Sequence, residues 1–122
     1  MAIRWKLHEG RKILQCDYRG LCLDLSLLQL EEAACMLARC HDRVLLLSTF
    51  RDDEIDPRFI RRAHELGRTL ARLAALKVAL VGIGNLKYVM REAYAPLAGT
   101  RASLFTSEQE ALAWLVQESS IS

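Results

Sequence analysis

Apolar and charged residues alternate at the start of the chain. The alternation covers residues 3–7 and is the pattern of a strand with one buried and one solvent-exposed face. A turn at residues 9–11 and a second apolar segment, residues 12–18, follow directly. We therefore predict that the two segments pair as an antiparallel hairpin.

Two later segments are apolar at almost every position. Residues 43–48 contain the run Val-Leu-Leu-Leu, and residues 77–84 read Lys-Val-Ala-Leu-Val-Gly-Ile-Gly. Runs without alternation are typical of central parallel strands that are covered on both faces. Residues 101–105 are the last predicted strand.

Helical patterns separate these strands. Ser26, with Gln29 three positions later, has the spacing of a capping box, so a helix is expected from there to about Cys40. Asp56 followed by Pro57 predicts the start of a second helix. Two further helices are expected over residues 86–94, after Asn85, and from the overlapping capping boxes of residues 106–110 onward.

The alternation of strands and helices predicts an α/β fold. Its element order is β-β-α-β-α-β-α-β-α, with a mostly parallel five-stranded sheet and an antiparallel edge strand. We find no repeat or linker in the 122 residues, so residues 1–122 are expected to form a single domain.

The second helix has two sharply different faces. It is predicted to run to about Leu73, with apolar residues on one side and arginines on the other. An arginine face is usually solvated, but it could also dock an acidic protein or anionic lipid headgroups. The candidate docking residues are Arg58, Arg61, Arg62 and Arg68.

Charge and composition exclude several classes of protein. The net charge of +2 does not favour a nucleic-acid partner. The most apolar stretch, residues 73–86, is shorter than the roughly 20 residues of a membrane span and contains Lys77. The N-terminus lacks a signal-peptide pattern, so a cytoplasmic location with reduced thiols is expected.

The cysteines do not have the spacing of a metal site. Because no C-x-x-C pair is present, the four cysteines are interpreted as core thiols, and no metal or cofactor is expected. Those residues are Cys16, Cys22, Cys35 and Cys40.

The carboxyl ends of the predicted strands hold the candidate polar site. Ser48 and Thr49 end a central strand, Asp17 ends its neighbour, and Asn85 follows the glycines at positions 82 and 84. Open α/β sheets bind ligands at this edge. The two glycines do not complete a dinucleotide fingerprint and are interpreted as allowing a close turn against the sheet.

Several segments resemble one family of small bacterial proteins. Residues 10–21 read GRKILQCDYRGL, which is similar to the opening G-k-x-I-L-x-x-D-Y-x-G-L segment of proteins with the STAS-like fold of anti-sigma-factor antagonists. Residues 44–49, 77–83 and 105–115 also resemble that family, and the similarity covers about residues 8–117. The resemblance implies a non-catalytic signalling or protein-interaction role, and it places Ser48 at the position of the regulatory serine.

Two functions are therefore expected from the sequence, with a third less favoured. The first is a non-catalytic STAS-like module of the bacterial cytoplasm that binds another protein or a second copy of itself. The alternative is a binder of a small apolar or lipid-like ligand at the carboxyl ends of the strands, suggested by Tyr88, Met90 and Tyr94. An enzyme that uses Ser48 or Thr49 with Asp17 is the least favoured, since no catalytic motif accompanies them.

Overall fold

A computed structural model describes residues 2–40, 44–51, 55–70, 76–82 and 101–117. These residues form five strands and three helices. The strands are β1 (Ala2–His8), β2 (Arg11–Asp17), β3 (Val44–Thr49), β4 (Leu76–Val81) and β5 (Arg101–Phe105). The helices are α1 (Leu23–Ala38), α2 (Pro57–Leu70) and α3 (Glu108–Val116).

The strands form one mixed sheet in the order β1-β2-β3-β4-β5. β1 pairs with β2 in the antiparallel direction, and the remaining neighbours are parallel. The α/β class, the antiparallel edge strand and the side-by-side placement of the two apolar runs are thus confirmed. The helix expected over residues 86–94 lies outside the described residues.

The β1–β2 hairpin turns at Glu9 and Gly10. Both residues have a positive φ, 48° and 79° respectively. Two consecutive residues with positive φ give the turn a twist that matches the twist of the flanking strands. The first two strands therefore pair in full register, from Ala2 opposite Asp17 to His8 opposite Arg11.

Apolar side chains cover both faces of the sheet. One face packs against α1 and α2 through a cluster that includes Leu14, Leu46 and Val78. The other face packs against α3 through a cluster that includes Leu47 and Leu115. Burial on both faces explains why the central strands lack alternation in the sequence.

Two of the predicted helix starts are confirmed and one is wrong. Pro57 is the first residue of α2, with the Asp56 carboxylate accepting a hydrogen bond from the Arg58 backbone N–H at 2.8 Å. Ser107 caps α3 by accepting a hydrogen bond from the Glu110 backbone N–H at 3.2 Å. The start predicted at Ser26 is wrong, because α1 begins at Leu23 after Cys22.

Gln29 explains the error at the start of α1. Its side chain is fully buried, and its amide donates a hydrogen bond to the Asp17 carbonyl at 2.9 Å. The residue that completes the apparent capping box at Ser26 therefore connects α1 to the end of β2. A buried amide needs such a partner, and this contact fixes the helix against the sheet edge.

The cysteines are only partly the core thiols that were expected. Cys16 is fully buried, and burial raises the pKa of its thiol to about 12. Cys40 is half-buried, whereas Cys22 and Cys35 are exposed, so the interpretation is wrong for those two residues. All four are free thiols.

Candidate ligand-binding cavity

A cavity of about 440 Å³ lies at the carboxyl ends of β2 and β3. The chain continues past each strand, since the Tyr18 N–H bonds the Thr49 carbonyl and the Phe50 N–H bonds the Val81 carbonyl, both at 2.9 Å. Tyr18 and Phe50 thus remain fixed to the sheet beyond its last paired residues, and both line the cavity.

Three aromatic rings form the apolar wall of the cavity. Tyr18 and Phe50 stack with ring centroids 5.0 Å apart and planes 5° apart. Phe59 of α2 meets both rings edge-on, at 5.0 and 5.7 Å. Each of the three residues is at least 95% buried, so the rings pack chiefly within the core and expose a small apolar part of their surface to the cavity.

The position of Phe50 depends on the glycine at the end of β4. Gly82 has φ +90°, and a Cβ placed on it would lie 2.1 Å from the Phe50 carbonyl oxygen. The sequence interpretation of this glycine as allowing close approach to the sheet is therefore confirmed at position 82. Gly84 lies outside the described residues.

The first turns of α1 and α2 border the cavity. At α1, Cys22 and Ser26 line it, and the Cys22 side chain makes no capping hydrogen bond. At α2, Asp56 lines it, and its carboxylate already accepts the capping hydrogen bond from the Arg58 backbone N–H. The hydrogen bond from the Arg58 guanidinium lowers the pKa of Asp56. The cavity thus combines apolar walls with a few polar groups at its border.

The predicted polar site is divided between the two faces of the sheet. Ser48 lies beside Cys16, whose side chain packs on the α1 and α2 side of the sheet. Asp17 and Thr49 are the next pair along the strands, so both lie on the α3 side. Ser48 is 1% exposed and lines a separate small cavity of about 30 Å³ beneath α1 and α2. Thr49 is also buried. Ser48 therefore does not join Asp17 and Thr49 in one site, and Asn85 lies outside the described residues.

Asp17 is engaged by a neighbouring arginine. The Arg19 guanidinium donates two hydrogen bonds to the carboxylate, each 2.9 Å long, and the Arg19 N–H donates a third at 3.0 Å. These bonds lower the pKa of Asp17. On the same side of the sheet, the Gln15 amide donates to Glu108 at 2.6 Å. The Asp17 carboxylate is therefore engaged by Arg19, two residues along the chain, and the Gln15–Glu108 bond joins β2 to α3.

The arginine face of α2 is half occupied by intramolecular ion pairs. Arg58 pairs with Asp56 at 3.1 Å, and Arg62 pairs with Glu31 of α1. Arg61 and Arg68 are exposed, and neither has an ion-pair partner among the described residues. Of the four candidate docking residues, these two are therefore presented to solvent without a charge partner in the described part of the chain.

The polar site predicted from the sequence and the cavity lie at the same edge of the sheet, but the cavity is lined by other residues than those predicted. Tyr18 and Phe50 each directly follow a predicted strand, and parallel neighbours place those positions together. The sequence therefore contained the information that Tyr18 and Phe50 lie side by side. Cys22 carried no comparable signal, because its exposure depends on where α1 begins.

Within the described residues, no group of three or more potential metal ligands is found, and no helix is long and apolar enough to cross a bilayer. Comparison of the chain with protein-family models, curated proteins and solved structures found no match.

Proposed function

We propose that this chain is a non-catalytic binding module that holds a small apolar or lipid-like ligand between the first turns of α1 and α2. The observation that carries the proposal is the cavity of about 440 Å³ at the carboxyl ends of β2 and β3. Sites for small molecules typically measure about 300–1,000 Å³ and have apolar walls with a few polar groups.

The chemistry of the walls indicates the class of ligand. The rings of Tyr18, Phe50 and Phe59 favour an apolar group, because the surface that they expose to the cavity is largely hydrocarbon. The Ser26 hydroxyl and the exposed Arg51 lie at the border, where a polar end of the same ligand would meet them. A medium-chain fatty acid such as decanoate has both features and is a suitable probe.

The absence of catalysis is part of the proposal and is supported by burial. Ser48 lies beneath two helices, and the Asp17 carboxylate is engaged by Arg19. A nucleophile must reach its substrate and must be hydrogen-bonded to a base. Ser48 and Thr49 are both buried, and no hydrogen bond joins either hydroxyl to the Asp17 carboxylate among the described residues.

Thiol alkylation tests occupancy of the cavity directly. Cys22 lines the cavity, while Cys35 is exposed on α1 and is absent from the cavity lining. Decanoate is expected to slow alkylation of Cys22 by iodoacetamide and to leave Cys35 unchanged. Equal rates with and without decanoate at Cys22, or equal slowing of both thiols, would count against this ligand class.

A STAS-like protein-interaction module of the bacterial cytoplasm is the second candidate function. The sequence resemblance motivates it, and the mostly parallel sheet with an antiparallel edge strand supports it. Arg61 and Arg68 on α2 are then the docking residues, since both are exposed. Such a face would attract an acidic partner protein.

Charge reversal distinguishes the second candidate from the first. In a pull-down from the host, the double variant Arg61→Glu/Arg68→Glu is expected to lose a stoichiometric partner that the wild-type chain retains. The double variant Arg11→Glu/Lys12→Glu, on β2, makes the same change in net charge on another element and is the matched control. A partner captured equally by all three proteins would exclude α2 as the docking surface.

A further inference from the structure

The outer edge of β1 is open in the part of the chain that the structure describes. β1 is the first strand of the sheet order, and β2 is its only neighbour among the described strands. In an antiparallel edge strand, alternate residues direct their N–H and C=O groups away from the neighbouring strand, so about half of the seven residues of β1 offer such groups along its outer side. Such an edge can accept another strand through main-chain hydrogen bonds.

The two faces of β1 have opposite chemistry. Trp5 and Leu7 lie on the α1 side, with Trp5 opposite Leu14, and their exposed fractions are 42% and 71%. Arg4 and Lys6 lie on the other side, where the Arg4 guanidinium donates to the Gln15 amide oxygen at 3.4 Å. The open edge thus has an apolar row on one face and a cationic row on the other.

A second copy of the chain does not fit this edge. When two identical strands pair antiparallel about a twofold axis, opposed residues lie on the same face. Pairing centred on Trp5 would place Arg4 of each copy opposite Lys6 of the other. Pairing centred on Arg4 or on Lys6, which also keeps the two faces aligned, would place that residue opposite the same residue of the other copy. Like charges directly opposed across strands are destabilising, so the cationic row disfavours self-pairing.

We propose that the outer edge of β1 binds an extended partner segment in which apolar and acidic residues alternate. The acidic side chains would lie opposite Arg4 and Lys6, and the apolar side chains would cover Trp5 and Leu7. Backbone hydrogen bonds then provide binding, and the alternation sets the register and the choice of partner. This surface is separate from both the cavity and the arginines of α2.

Two capped peptides of the length of β1 test the proposal on the whole chain. One alternates valine with glutamate and the other alternates valine with lysine. By isothermal titration calorimetry, the glutamate peptide is expected to bind about tenfold more tightly, because two attractive cross-strand pairs replace two repulsive ones. It should also slow hydrogen exchange of the β1 amides.

Variants locate the binding at this edge. Lys6→Glu is expected to reduce the preference for the glutamate peptide at least severalfold. Arg68→Glu makes the same charge change on α2, away from the hairpin, and should keep the preference. The proposal is wrong if neither peptide binds, or if wild-type protein binds both equally. It is also wrong if sedimentation shows a dimer whose formation protects the β1 amides, since the occupant would then be a second copy.

Discussion

Replacing Gly82 with alanine is expected to destabilise the fold strongly, through two separate costs. The residue has φ +90°, a conformation that costs a residue with a side chain about 1–2 kcal/mol. The added Cβ would also lie 2.1 Å from the Phe50 carbonyl oxygen, well short of the 3.4 Å at which ordinary contact begins. The obstructing atom is backbone, so relief requires movement of the chain that carries the Phe50 ring.

The total follows from adding the second cost to the first. Overpacking a well-packed site typically costs about 1–3 kcal/mol, which gives a loss of about 2–5 kcal/mol in the free energy of unfolding. A domain of this size has about 6–18 kcal/mol in all, so the loss is a substantial fraction. The midpoint of thermal unfolding should fall by about 10 °C or more, since about 1 kcal/mol corresponds to several degrees.

Gly10→Ala is the matched control for this prediction. Gly10 has φ +79°, but a Cβ there would meet nothing within 4 Å, so only the conformational cost applies. Urea unfolding followed by circular dichroism should therefore show Gly82→Ala as less stable than Gly10→Ala by about 1–3 kcal/mol. Equal losses in the two variants would refute the close approach of Gly82 to Phe50.

Two further predictions concern polar contacts away from the cavity. Lys77→Met should reduce the free energy of unfolding by about 1–2 kcal/mol in urea titrations, because the ammonium donates to the Trp114 and Gln117 carbonyls at the end of α3. A loss no greater than that of Lys6→Met would contradict it. Asp17→Asn should lower stability at pH 7 by under about 1 kcal/mol, because the Asp17–Arg19 pair is partly exposed. Its pKa is lowered in the folded state, so this stabilisation is present above about pH 4 and is lost as the pH falls further. Unfolding curves of wild-type and variant should therefore converge near pH 2, and a constant difference would rule out the pair as its source.

The sequence predicted the sheet well because its signals are local or periodic. Alternation identified β1, and continuous apolar runs identified β3 and β4. The start of α1 was missed because the sequence does not show whether Gln29 caps a helix or packs in the core. It completes a capping pattern with Ser26 in the sequence, yet in the fold it bonds the Asp17 carbonyl. Only the packing of α1 on the sheet distinguishes the two.

The candidate site was predictable only in part, for a similar reason. Parallel strands place their carboxyl ends at one edge, so the general location follows from topology. The pleat of each strand decides which side chains lie on the same face of the sheet. It places Ser48 and Thr49 on opposite faces although they are adjacent in the chain. The four candidate arginines share a helix face. However, Arg62 forms an ion pair with Glu31 of α1, and this pair depends on the packing of α1 against α2.

Native mass spectrometry of freshly purified protein tests the binding of a small ligand most directly. Ser26→Phe inserts a ring into the cavity from α1, and Cys35→Phe adds the same ring at an exposed position outside it. The wild-type chain and Cys35→Phe are expected to retain a non-covalent mass that Ser26→Phe has lost. If no form of the protein carries an added mass, or if Ser26→Phe retains it, the cavity does not hold the ligand.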